Sequence, residues 1–434
     1  MAGVFNAVGE APRPSAQFVA DLALELEQIA ESSSRRLWRI SRRAVLRGVA
    51  GVAGLLVAGV AADRATISLS GGGPGAGWVA VARAAELSPG TTTRFLATAV
   101  ARTGEPIVSN ATGANLTSGI APILATARSP GLAVLEVDER VLPRVVDPLG
   151  VELLVLGNLS RDQLDRYGEV HAVGDLWRHA AESHPDLRVV ANASDPHVVW
   201  AATPAKTTWV ELGLGWRNDA ATCPNCAGLL RWSADRFDCP ACGFGQPATP
   251  NRLGGDTLVL DGTRVPLRLA LPGRWNLANA ALAVTAAATH FGVDPREAAE
   301  AAATITTVAG RYMTVALPDG RRARVLLAKN PAGWSEVLHH LSDHNCSVVI
   351  AVNARVADGK DPSWLWDVPY ELLRGQPVAA AGERAFDVAV RLRYAEVDHI
   401  VERDPLAAAA KLPGEDVNIV ASYTQFSAIY RKFG

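Results

Sequence analysis

Cys223 and Cys226 form one C-x-x-C pair, and Cys239 and Cys242 form a second after twelve intervening residues. No other feature constrains the fold as tightly. Two such pairs brought together set four thiolates around one tetrahedral Zn2+. Gly and Pro beside each pair permit the knuckle turns, and "GLLRW" and "RFDC" between them suit short strands. So small a ribbon cannot build its own core, and the metal supplies folding free energy on the order of 10 kcal/mol. Four sulfurs leave no open coordination position, which makes the ion structural; a redox dithiol pair is the other reading. Cys346, alone in "DHNCSVVIAV", is expected as a core thiol. Five cysteines so clustered exclude a disulfide framework.

The rest of the chain is long enough, at 434 residues, for two or three domains around the ribbon. Hydrophobic residues make up 49% and charged ones 20%, the balance of a globular chain. With 42 basic against 44 acidic side chains there is no electrostatic footprint for nucleic acid. From Ala82 on, short branched apolar runs alternate with helical stretches. "GLAVLEVDE" (131–139), "VELLVLGNLS" (151–160) and "LRVVANAS" (187–194) are expected strands, with "DQLDRYGEVHAVGDLWRHAAESH" a helix between the last two. The pattern predicts an α/β fold on a mostly parallel sheet, with ligands at the carboxyl ends of the strands. Glu136, Asp138, Glu139, Asn158 and Asn192 all fall there, either as strand-end caps or as a site.

Residues 1–80 are atypical. A basic run precedes the apolar segment Val49–Ala62, whose ~14 residues fall short of the roughly 20 that span a bilayer. "SRRAVLRG" resembles a twin-arginine export signal; an amphipathic surface helix with a basic edge is the alternative. "SLSGGGPGAGW" is a loop. Next comes "ARAAELSPGTTTRFLATAV" (82–100), in which three threonines lead into an amphipathic helix in the manner of a phosphate-binding loop. After the ribbon, "LPGRWNLANAALAVTAAATHFGVDPREAAEAAATI" is a helical stretch entered through Arg274, Trp275 and Asn276. In the last 125 residues or so, "ARVLLAKN", "SVVIAVNA", "FDVAVRL" and "VNIVASYT" are expected strands. The segment "ADGKDPSWLWDV" carries Asp358, Asp361 and Asp367, which either cap a helix in a solvated loop or form a site. Trp364 and Trp366 within it suit a core or an interface.

"GRWNLANAALA" and "AGRYMTV" are similar to segments of the Mur ligase superfamily. "EVDERVLPRV", "NLSRDQLDRYGEV", "LLAKNPAGWSEVL" and "NARVADGKDPSWLWDVPYELL" resemble its MurT branch, which also carries a four-cysteine ribbon in its central domain. The resemblance spans about Thr91 to Tyr430. It implies a central ATP-binding domain at 81–309 with a zinc ribbon at about 220–247, and a second α/β domain at 310–434. It implies ATP-dependent amidation of the D-glutamate α-carboxylate of the lipid II stem peptide, with ammonia from a GatD-type glutaminase partner. It places the protein in the cytoplasm or at the inner membrane face; export is the minority alternative.

Residue by residue, the resemblance implies that Glu136 ligates Mg2+ and that Thr91 and Thr92 offer hydroxyls to it. Asn115 lies near the phosphates or substrate, Asn276 and Asn279 near the adenine, and Arg311 near a nucleotide phosphate. One of Asp358, Asp361 and Asp367 completes the partner glutaminase's Cys-His pair, with Asp361 and Asp367 preferred. The chain departs from the superfamily at the phosphate loop, where T-G-T-N-G-K-[ST]-T-T is replaced by Glu86-Leu87-Ser88-Pro89-Gly90-Thr91-Thr92-Thr93-Arg94. The lysine is missing, and Pro89 removes a backbone N–H. The superfamily's Asp-His after the second strand is Asp162-Gln163 here. Two readings follow. Either Arg94 or Arg83 supplies charge to a working ligase, or the chain is a non-catalytic homologue that still holds zinc and docks a glutaminase. Another Mur-like ligase, of folylpolyglutamate type, is disfavoured by the ribbon and "KNPAGW".

Overall fold

Six short strands line up in parallel as the first sheet of the computed structural model, in the order β2-β3-β1-β4-β5-β6. The model describes residues 78–83 and 91–433, apart from 111–114, 116–119, 121–122, 125–131, 161–169, 214–216, 235, 307–311, 318 and 345. The strands are β1 (Trp78–Arg83), β2 (Ile107–Val108), β3 (Leu132–Asp138), β4 (Val151–Leu156), β5 (Arg188–Asn192) and β6 (Lys206–Val210). "GWVAVARA" thus provides the first strand, which pairs with β3 so that Val81 faces Glu136 and Arg83 faces Asp138. All three strands expected in this half exist; β3 and β5 run on into their polar ends, through Asp138 and Asn192, while β4 stops at Leu156, before Asn158.

Alternate residues of β3 feed opposite faces. Val134 joins one core with Phe95, Leu96, Ala99 and Val100 of α1 (Thr91–Val100). Ala133, Leu135 and Val137 join the other, under α2 (Leu142–Leu149), α3 (Val170–Ser183) and α4 (Pro196–Ala202). Burial on both faces is what a parallel sheet requires. The expected helix before β5 runs over Val170–Ser183; its first part lies outside the described residues. The long Ala-rich stretch after the ribbon breaks at Gly292 into α5 (Arg274–Phe291) and α6 (Pro295–Ala303). Gly292 takes a left-handed conformation and donates its N–H to Ala287 O, as a helix stop does. Buried alanines let α5 lie close against α1.

The ribbon strands β7 (Arg231–Ser233) and β8 (Arg236–Asp238) pair antiparallel, followed by a three-stranded meander of β9 (Arg252–Gly254), β10 (Thr257–Leu260) and β11 (Thr263–Pro266). A second six-stranded sheet has the order β12-β13-β17-β14-β15-β16. Its members are β12 (Tyr312–Ala316), β13 (Arg322–Leu327), β14 (Ser347–Ala351), β15 (Val378–Ala381), β16 (His399–Val401) and β17 (Asp416–Ala421), parallel except for β12. Helices α7 (Pro331–Ser342) and α8 (Ala385–Tyr394) cover one face, and α9 (Pro405–Lys411) and α10 (Tyr423–Phe433) the other. One expectation is corrected here: "FDVAVRL" is not a strand but lies in α8. Its alternating valines mimic period two, yet Ala385, Val388 and Leu392 bury together at helical spacing. The strand in this region is "VAAA", one valine and three alanines, all buried.

All the described residues fall in one unit, 73–434. Within it, Trp275 at the start of α5 buries its ring in the core of the second sheet, beside Trp334 and Leu338, and meets His340 edge-on at 5.8 Å. Gly273 makes this possible. Its φ is +96°, and an added Cβ would run into the six-membered ring of Trp275. Burial holds the His340 imidazole below its usual pKa and pushes the nearby Glu336 carboxyl up, opposed by the charge of Arg274. Among the described residues no helix is long and apolar enough to cross a membrane.

Candidate functional site

In a doubly wound sheet ligands bind at the carboxyl edge, where strands β1 and β3 stand side by side. Residues 84–90, which hold the degenerate loop, lie outside the described residues, but the helix it enters is clear. Thr91, Thr92 and Thr93 are buried at the N-terminus of α1. The hydroxyls of Thr91 and Thr92 have no hydrogen-bond partner among the described residues. A buried hydroxyl left unpaired costs about 1–3 kcal/mol, so this pair favours an occupant that bonds or ligates it. The helix adds partial positive charge, and its first turn carries no acid to cancel it.

Glu136 reaches the same edge from β3 and is buried. The strand end is fixed by Asn110, whose side chain accepts from Glu136 N and donates to Glu136 O, both at 2.7 Å. This clip continues the ladder beyond β2, and sequence reading missed it because "IVSNATG" carries only a generic loop signal. Asp138 donates its N–H to Asn115 O at 3.0 Å, which brings Asn115 to the edge beside Glu136. Asp138 itself accepts from Arg140 N. Threonine hydroxyls and a carboxylate form a hard oxygen donor set, which fits Mg2+.

Helix α5 begins on the carboxyl side of the sheet, where the Arg274 guanidinium donates to Gly213 O just past β6. Asn276 and Asn279 are buried in its first two turns. Asn276 donates to Pro272 O at 2.6 Å and leaves its own carbonyl oxygen without a partner among the described residues; the Asn279 amide nitrogen has none either. These two groups can read the edge of a heterocycle. Asn158 and Asn192, by contrast, bond each other, and Asn192 also accepts from Ser194 N. They are cross-links between β4 and β5. Asp195 beside them accepts from Leu159, His197 and Val198 backbone groups, and its burial raises its pKa. Glu139 lends its carbonyl to Trp177 Nε1. Arg94 is half-buried on α1. Arg311, Asp162 and Gln163 lie outside the described residues.

The four cysteines meet as the spacing requires. Cys223 and Cys242 Sγ are 3.7 Å apart, Cys226 and Cys239 Sγ 3.6 Å, and all four lie within 4.8 Å of one another. A tetrahedron with Zn–S of about 2.3 Å has edges of roughly 3.8 Å, so the thiolates fit zinc. The two knuckles repeat one pattern. Ala227 N donates to Cys223 O and Gly243 N to Cys239 O, with both residues left-handed at φ 59° and 76°. Burial pushes the Cys223 thiol up to about 12, while the Asn225 amide, donating to Cys242, holds that thiol down at about 6. Cys346 is half-buried, and its Sγ lies 3.7 Å from Leu341 O.

The three C-terminal acids separate clearly. Asp358 is buried and accepts from Thr424 N at 2.8 Å, from Thr424 Oγ1 and from Arg355 N. It ties its loop to the start of α10, helped by Asn353, which bonds Ser422, Thr424 and Glu383. Asp361 is exposed and spends one oxygen on Ser363 N. Asp367 is half-buried at the end of a 3-10 turn (Ser363–Asp367) that exposes Trp366 and buries Leu365.

The family model described as MurT ligase C-terminal matches residues 327–426. The chain is 28% identical over 355 residues to the lipid II isoglutaminyl synthase (glutamine-hydrolyzing) subunit MurT of Streptococcus pneumoniae, covering 73% of this chain and 78% of that one. It is 30% identical over 335 residues to the subunit of the same name from Staphylococcus aureus strain COL, covering 70% and 75%. Among solved structures it resembles a pseudomurein peptide ligase type C from Methanothermus fervidus, with TM-score 0.64 at 17% identity over 82% of this chain and 78% of that one. It also resembles the MurF ligase of Thermotoga maritima solved with ADP, with TM-score 0.55 at 13% identity, covering 82% and 80%. At such identities the structural likeness establishes the fold.

Proposed function

The chain belongs to the MurT family of lipid II isoglutaminyl synthase subunits, and from this we propose that it is the ligase half of a glutamine-dependent amidating enzyme of peptidoglycan synthesis. A carboxylate is a poor electrophile until one oxygen becomes a leaving group. An oxygen of the D-glutamate α-carboxylate in the lipid II stem peptide attacks the γ-phosphorus of ATP, and ADP departs. Ammonia then adds to the carbonyl carbon of the acyl phosphate, inorganic phosphate leaves, and the amide of D-isoglutamine remains. Mg2+, when bound, would neutralise charge during the phosphoryl transfer.

The observation that supports this reading best is the pair of buried hydroxyls of Thr91 and Thr92 at the start of α1, which have no partner among the described residues, together with the buried carboxylate of Glu136 on β3. These residues would hold Mg2+ and aim the α1 N-terminus at the phosphates. Asn115 lies toward the phosphates or substrate, Asn276 and Asn279 toward the adenine, and Arg311 toward a phosphate near the junction of domains 81–309 and 310–434. The ribbon ion is zinc. The ammonia source is a GatD-type glutaminase, to whose Cys-His pair Asp361 adds the acid. Asp361 is chosen because it is exposed with an oxygen to spare, whereas Asp358 holds its own loop. Dependence on ATP and lipid II sets the reaction at the cytoplasmic face of the membrane.

The missing loop lysine favours a second reading, a zinc-containing scaffold that docks the glutaminase without transferring phosphate. Titration calorimetry with Mg-ATP separates the two, using the native chain and the Pro89→Gly/Gly90→Lys variant. Binding by both supports the ligase; binding by the restored chain alone leaves the scaffold.

A further inference from the structure

We propose that His340 and His344, at the end of α7, form a second metal site, which binds one divalent, imidazole-seeking ion of the Zn2+ class. The segment "LHHLSDHNC" holds His339, His340, Asp343 and His344, none of which the proposed function uses. Helix α7 ends at Ser342, but His344 N still bonds Leu341 O at 3.1 Å, so the chain keeps turning through His344. Positions i and i+4 share one face at that pitch, and the two imidazoles meet with ring centroids 4.7 Å apart. His339 lies about 100° further round the helix, with its Nδ1 bonded back to Ser335 O at 2.8 Å.

Each ring is prepared as a ligand. His344 Nδ1 donates to His340 O at 2.7 Å. A carbonyl oxygen only accepts, so in the neutral ring Nδ1 carries the hydrogen and Nε2 keeps its lone pair. A backbone carbonyl that fixes tautomer and ring in this way is the usual support behind a metal-bound imidazole. His340 is half-buried, yet neither of its ring nitrogens has a hydrogen-bond partner among the described residues. Capping of the helix end accounts for the His344 contact. It does not account for the unspent nitrogens of the ring beside it. Zn–N bonds of about 2.1 Å set two ligand nitrogens roughly 3.4 Å apart, which rings at this spacing reach by small rotations.

The surroundings suit a cation. The carbonyl end of α7 carries partial negative charge and Asp343 adds a full one, opposed by the guanidinium of Arg324. Among the described residues only the ribbon cysteines gather three or more ligand atoms, so water fills the remaining positions around this ion. Imidazole nitrogen favours Zn2+, Ni2+ or Cu2+ over Mg2+, which keeps the pair from competing for the ion proposed beside Glu136. Four thiolates hold zinc more tightly than two imidazoles, so the ribbon fills first. The position has a consequence for the fold. His340 meets the Trp275 indole edge-on at 5.8 Å, so the ion takes as ligand the very ring against which Trp275 is seated.

The test titrates ZnCl2 by calorimetry into the full chain, its ribbon already loaded with one equivalent of zinc. Wild type is compared with His344→Gln, an exposed position, and with two controls. His339→Gln removes the neighbouring ring, and His171→Gln removes a histidine that faces Asp175 at 3.4 Å one turn along α3. Wild type and both controls are expected to take up one further, weaker equivalent. His344→Gln should bind it about tenfold more weakly or worse, with ribbon zinc unchanged. Added Zn2+ should raise the thermal midpoint of wild type and leave that of His344→Gln in place. Without added metal the two midpoints should agree, which excludes misfolding. Wild-type uptake in His344→Gln overturns the proposal, as does a wild-type chain that takes no second equivalent. Loss of that equivalent in His171→Gln instead also overturns it, because the ion then sits on α3.

Discussion

Asp358 and Asp361 stand three residues apart and should behave in opposite ways. Asp358→Asn removes charge from a buried acceptor of three bonds and should destabilise the fold by about 1–3 kcal/mol in urea titration. Asp361→Asn touches one exposed backbone N–H and should shift stability by less than about 0.5 kcal/mol. Its effect should fall on glutamine-dependent turnover, with ammonium-dependent turnover unchanged; loss of both would remove Asp361 from the role proposed for it. Cys226→Ser takes one of four thiolates from the ribbon. Zinc content below half an equivalent per chain and a lower first melting transition are expected, by metal analysis and calorimetry, since the ribbon has little apolar core to fall back on. Gly273→Ala demands both a left-handed alanine and room where the Trp275 ring lies. It should cost about 2 kcal/mol or more, read as a drop in the urea midpoint.

At the scale of elements, legibility tracked how far each segment carries its own instructions. The knuckles were fully legible, because a metal site is written in residue type and spacing alone. Helices α4, α6, α7 and α9 each begin with Asp or Asn followed by Pro, and each of these caps accepts from the backbone of the first turn. The alternating valines of α8 misled because its exposed row is as apolar as its buried side, which erases the polar half of the helical signal. β15 was missed because three of its four residues are alanine, which has weak strand propensity, and only the packing of two layers makes them central. At the site, Glu136, Asn276 and Asn279 could be named through the family pattern, whereas Asn110 acts by bonding the backbone of the neighbouring strand, 26 residues on, and has no local signature. Two half-buried histidines, one on α7 and one in the last turn of α5, also predict a pH effect. Burial lowers the pKa of His340, which faces Trp275, His344, Asp343 and Arg324, and of His290, near Arg188 and Glu152. The unfolded chain therefore binds more protons below about pH 6.5, and stability falls as pH falls through that range. In urea titrations at pH 7.5 and 5.0, a His290→Gln/His340→Gln variant should lose less stability than wild type; an equal loss would remove the histidines as its cause.

For the whole molecule, two three-layer units with parallel sheets have been joined by more than a chain crossing. Trp275 belongs by sequence to the helix that starts at the first sheet, yet its indole fills the core of the second. The halves are thus unequal when separated. A fragment starting near residue 312 lacks one of its own core side chains, and by analogy with large-to-small core substitutions should be less stable than the intact chain's second half by about 3–5 kcal/mol. The first half, cut free, would expose an indole that nothing shields. Recombination meets the same asymmetry. A chimera that exchanges everything after residue 311 with a relative inherits a foreign socket for a native plug, and its success should depend on the match at positions 334, 338 and 340 more than on overall identity. Asn276 directly follows that plug, and Asn279 sits one turn along. Any change that reseats the indole therefore also turns the side chains proposed to face the nucleotide, so heredity cannot adjust the seam between the halves without also moving the proposed nucleotide site.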